Sequence, residues 1–468
     1  MAFFDGISRV HVIGAGGIGV SAVAKLLAHA GKKVSGSDVA RNEATQELEA
    51  AGIPVAIGHA AANVPAEADL AVYSSAVPEN NPERQEVRSR GIRELSYFEF
   101  IGEYSKSKWT IAVSGTNGKS TTTALLGLIL EKAGFEPTVI VGSKVRTFPD
   151  KNLRLGRGEY FVIEACEHQA HMLELFPQMI VLTNIEEDHL DYYRDLDHIR
   201  ETFRRYAAKL PPDGSLILNT DDPVCAADFD HAPGRVSYGL EAAADYAARG
   251  LSVGGGRQRF EVVRRSGRPA SLGEFSLPLP GRFNVYNALA AITAAAELGA
   301  PPAAIREAIA EFAGLWRRFE PVGDHDGVPM YSDYGHHPTA VAGTLAAARE
   351  FFPDRRVVLA FQPHQHNRTR RLFDEFVASF DGADVLVLAE IFDVAGRESA
   401  EDQRVSSRDL AEAASRRDAA AGRTREIVFA ADLDRTAEVL HRVLRPGDVL
   451  LLMGAGDIYK LAERLKKD

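Results

Sequence analysis

Two cysteines, Cys166 and Cys225, are all that the 468 residues contain, so neither a disulfide framework nor a thiolate zinc cage organises the chain. Long hydrophobic runs are also missing. The most apolar windows, such as residues 288–298, are alanine-rich and interrupted by Thr and Glu, which argues against membrane insertion. Residues 1–10 carry Asp5 and Arg9 and lack a signal-peptide core. Positive charge is scarce too: 54 Lys+Arg against 65 Asp+Glu leave a formal charge of −11. That balance disfavours nucleic acid as a partner, because sequence-independent binding to it rests on cationic surface. No period of 20–50 residues recurs, which excludes a solenoid. A cytoplasmic location is the expectation from these absences.

What is present is ordinary globular material, 45% hydrophobic and 25% charged, at a length that suits three domains. A short apolar strand, a glycine turn and a helix-like stretch occur together three times. They are Val10–Ile13 into Gly14–Gly19, Trp109–Val113 into Gly115–Lys119, and Val449–Met453 into Gly454–Gly456. Further apolar runs alternate with helical patterns, which predicts α/β domains built on parallel sheets covered on both faces. Boundaries fall near Ser105–Ser107 and Trp316–Phe319, giving domains 1–107, 108–317 and 318–468. Between Pro212 and Pro280, Gly, Pro and short alternating runs predict added antiparallel strands. Eight of the 14 histidines lie in two windows, 168–198 and 336–366.

The second turn carries the strongest chemistry. Gly115, Thr116, Asn117, Gly118, Lys119, Ser120 and Thr121 follow a strand and open a helix, which aims backbone N–H groups at phosphate oxygens. Lys119 would meet the β- and γ-phosphates and Ser120 would ligate Mg²⁺. The first turn reads Gly14-Ala-Gly16-Gly17-Ile-Gly19, with Asp38 ending the next strand. It suits a dinucleotide with Asp38 on a ribose, another diphosphate, or a purely structural turn. The third turn is expected to be structural. Glu164 ends one strand and His189 follows another, where ligands of open parallel sheets gather. With Ser120 they form a candidate metal set. His198 lies in a helical pattern and is expected at the surface.

Taken in order, Gly115-Thr-Asn-Gly-Lys-Ser, Glu164-Ala-Cys-Glu, Thr183-Asn-Ile-Glu-Glu-Asp-His189, Gly281-Arg-Phe-Asn-Val-Tyr-Asn287, Arg317-Arg-Phe and Asp333-Tyr-Gly-His-His-Pro-Thr339 resemble the Mur ligases. The resemblance runs from Val10 to Tyr459. It implies a Rossmann-like UDP-binding domain, a central P-loop ATPase-type domain and a C-terminal Rossmann-like domain. It implies an ATP-dependent, Mg²⁺-assisted ligase of peptidoglycan precursor synthesis, joining L-alanine to the lactoyl carboxylate of UDP-N-acetylmuramate through an acyl phosphate. By the same resemblance, Gly14, Gly16, Gly17 and Gly19 would hold the UDP diphosphate, with Ser37, Asp38, His59 and Ser75 around the uridine. Asn284 and Asn287 would lie near adenine, Arg318 near the γ-phosphate and Asp333 near the ATP ribose. Tyr334, His336, His364 and Arg368 would face the acceptor carboxylate and the amino acid. His189 or His336 would take the amine proton.

The chain departs from the family's alanine ligases at three places, one of them Thr116-Asn117, where those enzymes usually have Thr-His before the lysine. Glu164-Ala-Cys-Glu-His-Gln169 replaces the usual Glu-Ala-Asp-Glu-Ser-Asp, and Gln365 replaces the Arg after Gln-Pro-His. Arg204 or Arg205 falls where some relatives carry a carbamylated lysine. A relative that attaches a recycled tripeptide, an NAD-dependent oxidoreductase using the first turn, and a catalytically dead nucleotide sensor stand as alternatives. The sequence leaves monomer and homodimer open.

Overall fold

The structure, a computed structural model, describes residues 6–189, 192–241, 243–267, 269–393 and 405–466. Three sheets follow one another along the chain. The first contains β1 (Arg9–Ile13), β2 (Lys33–Asp38), β3 (Val55–Ile57), β4 (Leu70–Tyr73) and β5 (Arg93–Ser96), parallel throughout, in the order β3-β2-β1-β4-β5. The connection direction reverses at β1. Gly14–Gly19 leaves the carboxyl end of that strand, where open sheets form a crevice.

The second sheet has ten strands: β6 (Trp109–Ser114), β7 (Thr138–Ile140), β8 (Leu153–Arg154), β9 (Tyr160–Glu164), β10 (Met179–Leu182), β11 (Ser215–Asn219), β12 (Arg235–Gly239), β13 (Tyr246–Gly254), β14 (Arg257–Arg264) and β15 (Ala270–Leu277). Their order is β15-β14-β13-β12-β11-β10-β6-β9-β7-β8. Parallel β9 and β10 flank β6, so Gly115, Glu164 and Thr183 leave the same edge of the sheet side by side. The central strands are buried along nearly their whole length, which is why they read as unbroken apolar runs. The antiparallel additions expected after Pro212 are there. Two residues join β13 to β14, a connection that only antiparallel strands can use. The antiparallel pair β7–β8 had no counterpart in the sequence reading, because a two-residue strand carries no alternation to read.

The third sheet is β16 (Glu320–His325), β17 (Val328–Asp333), β18 (Val357–Phe361), β19 (Val385–Ala389), β20 (Glu426–Ala430) and β21 (Val449–Met453), in the order β16-β17-β21-β18-β19-β20. All of its pairs are parallel except the β16–β17 hairpin at one edge.

By compactness the chain divides into two units. The first is Met1–Leu251, Phe260–Ser276 and Tyr286–Ala313; the second is Ser252–Arg259, Leu277–Val285 and Gly314–Asp468. Within the first unit one hydrophobic core runs from the first sheet into the second. The helix Tyr97–Ser105 makes the join, with Tyr104 edge-on to Phe161 and Phe98 stacked on His171. No helix among the described residues is long and apolar enough to cross a membrane.

Candidate active site

In the first unit the second glycine turn is built as a phosphate loop. The helix Lys119–Lys132 begins directly after Gly118, which has a positive φ of 84° and no side-chain cap. The segment after β10 latches the loop. Thr183 Oγ1 donates to Asn117 O (2.6 Å), Asn184 Oδ1 accepts from Asn117 N (2.9 Å), and Asn184 O accepts from Thr116 N (2.9 Å). The Thr116 hydroxyl accepts from Glu186 N at 2.9 Å. Gly115 sits at φ 129°, and a Cβ there would fall 2.1 Å from Thr183 Oγ1. Only glycine fits that close approach. Asn287 packs on the same loop: a Cβ on Gly118 would meet its Oδ1 at 2.1 Å. Thr121, in the first turn of the helix, is buried.

Lys119 Nζ donates to Gly115 O (2.6 Å), Thr116 O (2.9 Å) and Glu167 Oε1 (2.9 Å). Burial would lower the lysine pKa, but the Glu167 charge overcomes it and holds the ammonium above its usual value. Glu167 is itself buried. Desolvation raises its pKa, while Lys119 and His189 pull it below the ordinary carboxylate range. Sequence reasoning quoted Glu167 inside a motif without giving it a role; its signal was its place three residues after Glu164. Ser120 Oγ donates to Glu164 Oε2 at 3.0 Å, and the other Glu164 oxygen accepts from Gly142 N. Hydroxyl and carboxylate oxygens side by side are the hard donors that Mg²⁺ takes, alongside phosphate oxygens and water. Three His, Cys, Asp or Glu side chains do not converge as a metal cage among the described residues. His189 Nε2 lies 3.6 Å from Glu167 Oε1. Burial lowers its pKa, but Glu167 and Asp188 raise it above the usual value. Its ring is 4.7 Å from that of His168. Beside them, burial and the Glu167 charge push the Cys166 thiol up to about 12, which favours its protonated form.

The first turn, also in the first unit, is built differently. Ser37 O accepts from both Gly14 N and Ala15 N at 2.9 Å. Asp38 Oδ2 accepts from Gly16 N at 2.8 Å, so this carboxylate caps an amide of the turn itself. Gly17 and Gly19 flank the start of the helix Ile18–His29, which has no side-chain cap. His59 lies beyond β3 with its Nδ1 3.2 Å from Ser37 Oγ. Ser75 is exposed, and it is Ser74 whose Cβ would lie 2.9 Å from a Cβ on Gly14. Val39 and Ile57, 72% and 49% exposed, are an apolar pair at the ends of β2 and β3 that sequence reasoning missed.

A segment between β7 and β9 touches both the carboxylate beside the second turn and the helix that follows the first. Gly142 N binds Glu164, while buried Asn152 donates to Ser21 Oγ (3.0 Å) and Ile18 O in the first helix. Lys25, also buried, donates to Asn152 Oδ1 (3.2 Å) and Asp150 O (3.0 Å). Arg204, on the helix Leu196–Ala207, is bound to Asp228 on the helix Pro223–Phe229. His198 is half-buried on that helix.

The second unit gathers the remaining candidates. Asp333, at the end of β17, accepts from Phe319 N (2.8 Å) and Gly335 N (2.7 Å), and burial holds its pKa above normal. Arg317 is buried among Trp316, Tyr334 and Tyr459 and donates to Gly454 O and Ala455 O, which makes the third glycine turn a structural acceptor. Arg318 beside it is only half-buried. His336 and His364 have ring centres 6.0 Å apart, Tyr334 lies 5.2 Å from His336, and Arg368 Nη1 approaches His364 O at 3.3 Å. Asn284 donates to Pro280 O at 2.7 Å.

Comparison with known proteins gives a consistent result. Residues 9–109 match "Mur ligase family, catalytic domain", 113–295 "Mur ligase middle domain", and 317–456 "Mur ligase, glutamate ligase domain". A UDP-N-acetylmuramate–L-alanine ligase of a Geobacter species is 41% identical over 460 residues, covering 98% of this chain and 97% of the relative. The crystal structure of UDP-N-acetylmuramate-alanine ligase MurC from Thermotoga maritima superposes with a TM-score of 0.81 at 27% identity, covering 98% of each chain. A murein peptide ligase from Psychrobacter arcticus, at TM-score 0.71 and 24% identity over 98% of each chain, shares the fold.

Proposed function

This chain belongs to the Mur ligase family, and from that premise we propose that it joins L-alanine to the lactoyl carboxylate of UDP-N-acetylmuramate with cleavage of ATP to ADP and phosphate. The observation that carries the chemistry is the set Lys119, Ser120 and Glu164 on the adjacent ends of β6 and β9. A carboxylate oxygen attacks the γ-phosphorus, the bond to ADP breaks, and an acyl phosphate forms. The amine then attacks the acyl carbon, phosphate leaves, and the nitrogen gives up one proton to yield the amide. A carboxylate has to approach a polyanion, so positive charge and fixed geometry supply most of the catalysis.

The loop amides of Gly115–Gly118 and Lys119 hold the β- and γ-phosphates, with Thr121, Asn284, Asn287 and Asp333 as further ATP-binding residues and Arg318 for the γ-phosphate. Ser120, Glu164 and His189 would hold Mg²⁺, which neutralises phosphate charge when bound. Gly14–Gly19, Ser37, Asp38, His59 and Ser75 take the UDP moiety. Tyr334, His336, His364 and Arg368 take the acceptor carboxylate and the amine. Domains 1–107, 108–317 and 318–468 and a cytoplasmic location belong to the same reading.

The test is ADP release from ATP and UDP-N-acetylmuramate offered L-Ala, L-Ser, Gly or the tripeptide. L-Ala is expected to give the highest kcat/KM. Turnover with the tripeptide and none with any single amino acid would replace the alanine assignment with the recycling one.

A further inference from the structure

The reaction makes no direct use of a buried carboxylate that lies behind the first glycine turn. Glu83, on the helix Pro82–Ser89, has no exposed surface. Its Oε1 accepts from Asn63 Nδ2 (2.6 Å) and Ala60 N (3.2 Å); its Oε2 accepts from Ser37 Oγ and from His11 Nε2 (3.2 Å). Burial alone would raise its pKa, but the donors His11, Ser37 and Asn63 bring it down to about 2. The helix N-terminus favours the charge as well. Glu83 is therefore an anion that only accepts.

Counting hydrogens from that anion fixes its neighbours. The Ser37 hydroxyl hydrogen is committed to Glu83, which leaves lone pairs on Ser37 Oγ. His59 Nδ1 is 3.2 Å from that Oγ and 3.4 Å from Glu83 Oε1, so it faces two acceptors and must carry the hydrogen. A neutral His59 then has a lone pair on Nε2. On the other side, His11 donates from Nε2 and accepts from Ser35 Oγ at Nδ1 (3.0 Å). The His59 side chain is 12% exposed, on the same sheet edge as Asp38 and the apolar Val39–Ile57 pair.

We propose that Glu83 is a positioning residue for the nucleoside: through Ser37 and His59 it keeps His59 Nε2 a hydrogen-bond acceptor for an N–H or O–H of a bound nucleoside diphosphate. The proposal rests on reading the first turn as the UDP site. It assigns to a fully buried side chain the donor–acceptor polarity of a surface it does not reach.

The test uses the full chain labelled with ¹⁵N-histidine, with UDP and a non-hydrolysable ATP analogue as separate probes. In the unmodified protein at neutral pH, His59 is expected to be the neutral Nδ1–H tautomer. Glu83→Gln keeps its carbonyl oxygen where Asn63 and Ala60 donate and puts its NH₂ against Ser37 Oγ, whose released hydroxyl hydrogen can turn to His59 Nδ1, so the ring proton should move to Nε2 and the UDP Kd should rise about tenfold or more, with the ATP-analogue Kd unchanged. Glu83→Asp retains the charge and is expected to keep the Nδ1–H tautomer with a smaller loss. An Nε2–H or imidazolium form in the unmodified protein overturns the proposal without any variant. So does a Glu83→Gln protein that keeps its UDP affinity, or one that loses UDP and ATP-analogue binding alike. If the unmodified chain binds the ATP analogue but not UDP, the reading of the turn itself fails, which the other outcomes do not imply.

Discussion

The two glycine turns of the first unit start from the same backbone plan, a parallel strand running into an uncapped helix, and end as different instruments. The turn at Gly115–Ser120 carries its own cation, Lys119, leashed to Glu167, and has a carboxylate and a hydroxyl in contact beside it. The turn at Gly14–Gly19 contains no Lys or Arg. Lys25, on the helix that follows, is bound to Glu47, Asp150 and Asn152. One of its amides is capped by Asp38, and its backbone is anchored on Ser37, whose hydroxyl leads to a buried anion. A diphosphate that only has to be held needs amides and a fixed polar wall. A phosphoryl group that has to be transferred needs positive charge held in place and aimed at the transition state. On the proposed function, the contrast separates holding from reacting.

Lys119→Ala strikes the contrast hardest. Removing the only side-chain cation of the reacting turn should lower kcat for ADP formation by at least about 10²-fold, while UDP binds unchanged. Equal loss at both nucleotides would mean the turns are not independent. The substitution also strands Glu167 as a buried charge, so the double variant Lys119→Ala/Glu167→Gln is expected to recover melting temperature without recovering turnover. Gly115→Ala comes next. A methyl group cannot stand 2.1 Å from Thr183 Oγ1, so the latch must open, at about 1–3 kcal/mol of stability. Chemical denaturation would measure it, and a loss below about 0.5 kcal/mol would show the latch to be slack.

The two turns were not equally legible in the sequence. The strand and helix around Gly115–Ser120 are local, and Glu164 stands at the visible end of an apolar run, so both could be placed from spacing. The helix start was read from the glycine turn rather than from propensity: Lys119-Ser-Thr-Thr-Thr is a poor helix opening on that scale, and burial against the sheet overrides it. Glu167 meets Lys119 three residues past the end of β9, just before the chain bends through left-handed Gln169 and Ala170, and no residue pattern announces that bend. At the first turn the decisive groups are far apart in sequence. Glu83 reaches back 46 residues to Ser37 and 72 to His11, contacts set by strand order. Ser74 is half-buried against Gly14 and Ser75, which the resemblance supplied, is exposed, a difference that adjacent identical residues do not show in a sequence. The resemblance supplied Arg318, whose neighbour Arg317 is held by carbonyls and aromatic rings.

The smallest expected effect probes where the two halves of the first unit meet. His171 stacks on Phe98 at 3.6 Å, and burial, with His168 nearby, holds its pKa down to about 4. Its unfolded value is about 6.5. Above pH 6.5 the ring is neutral in both states and costs nothing. As pH falls from 6.5 towards 4, the unfolded chain takes up a proton that the folded chain refuses, so stability drops with acid across that window. His171→Phe retains the stacked ring and removes the proton uptake. Its stability relative to the unmodified protein should therefore rise steadily as pH is lowered from 6.5 to 4, and denaturation curves at pH 7.5 and 5 would measure the difference. If the two proteins keep a constant gap between those pH values, His171 titrates normally and the stacked contact between the halves is loose in solution.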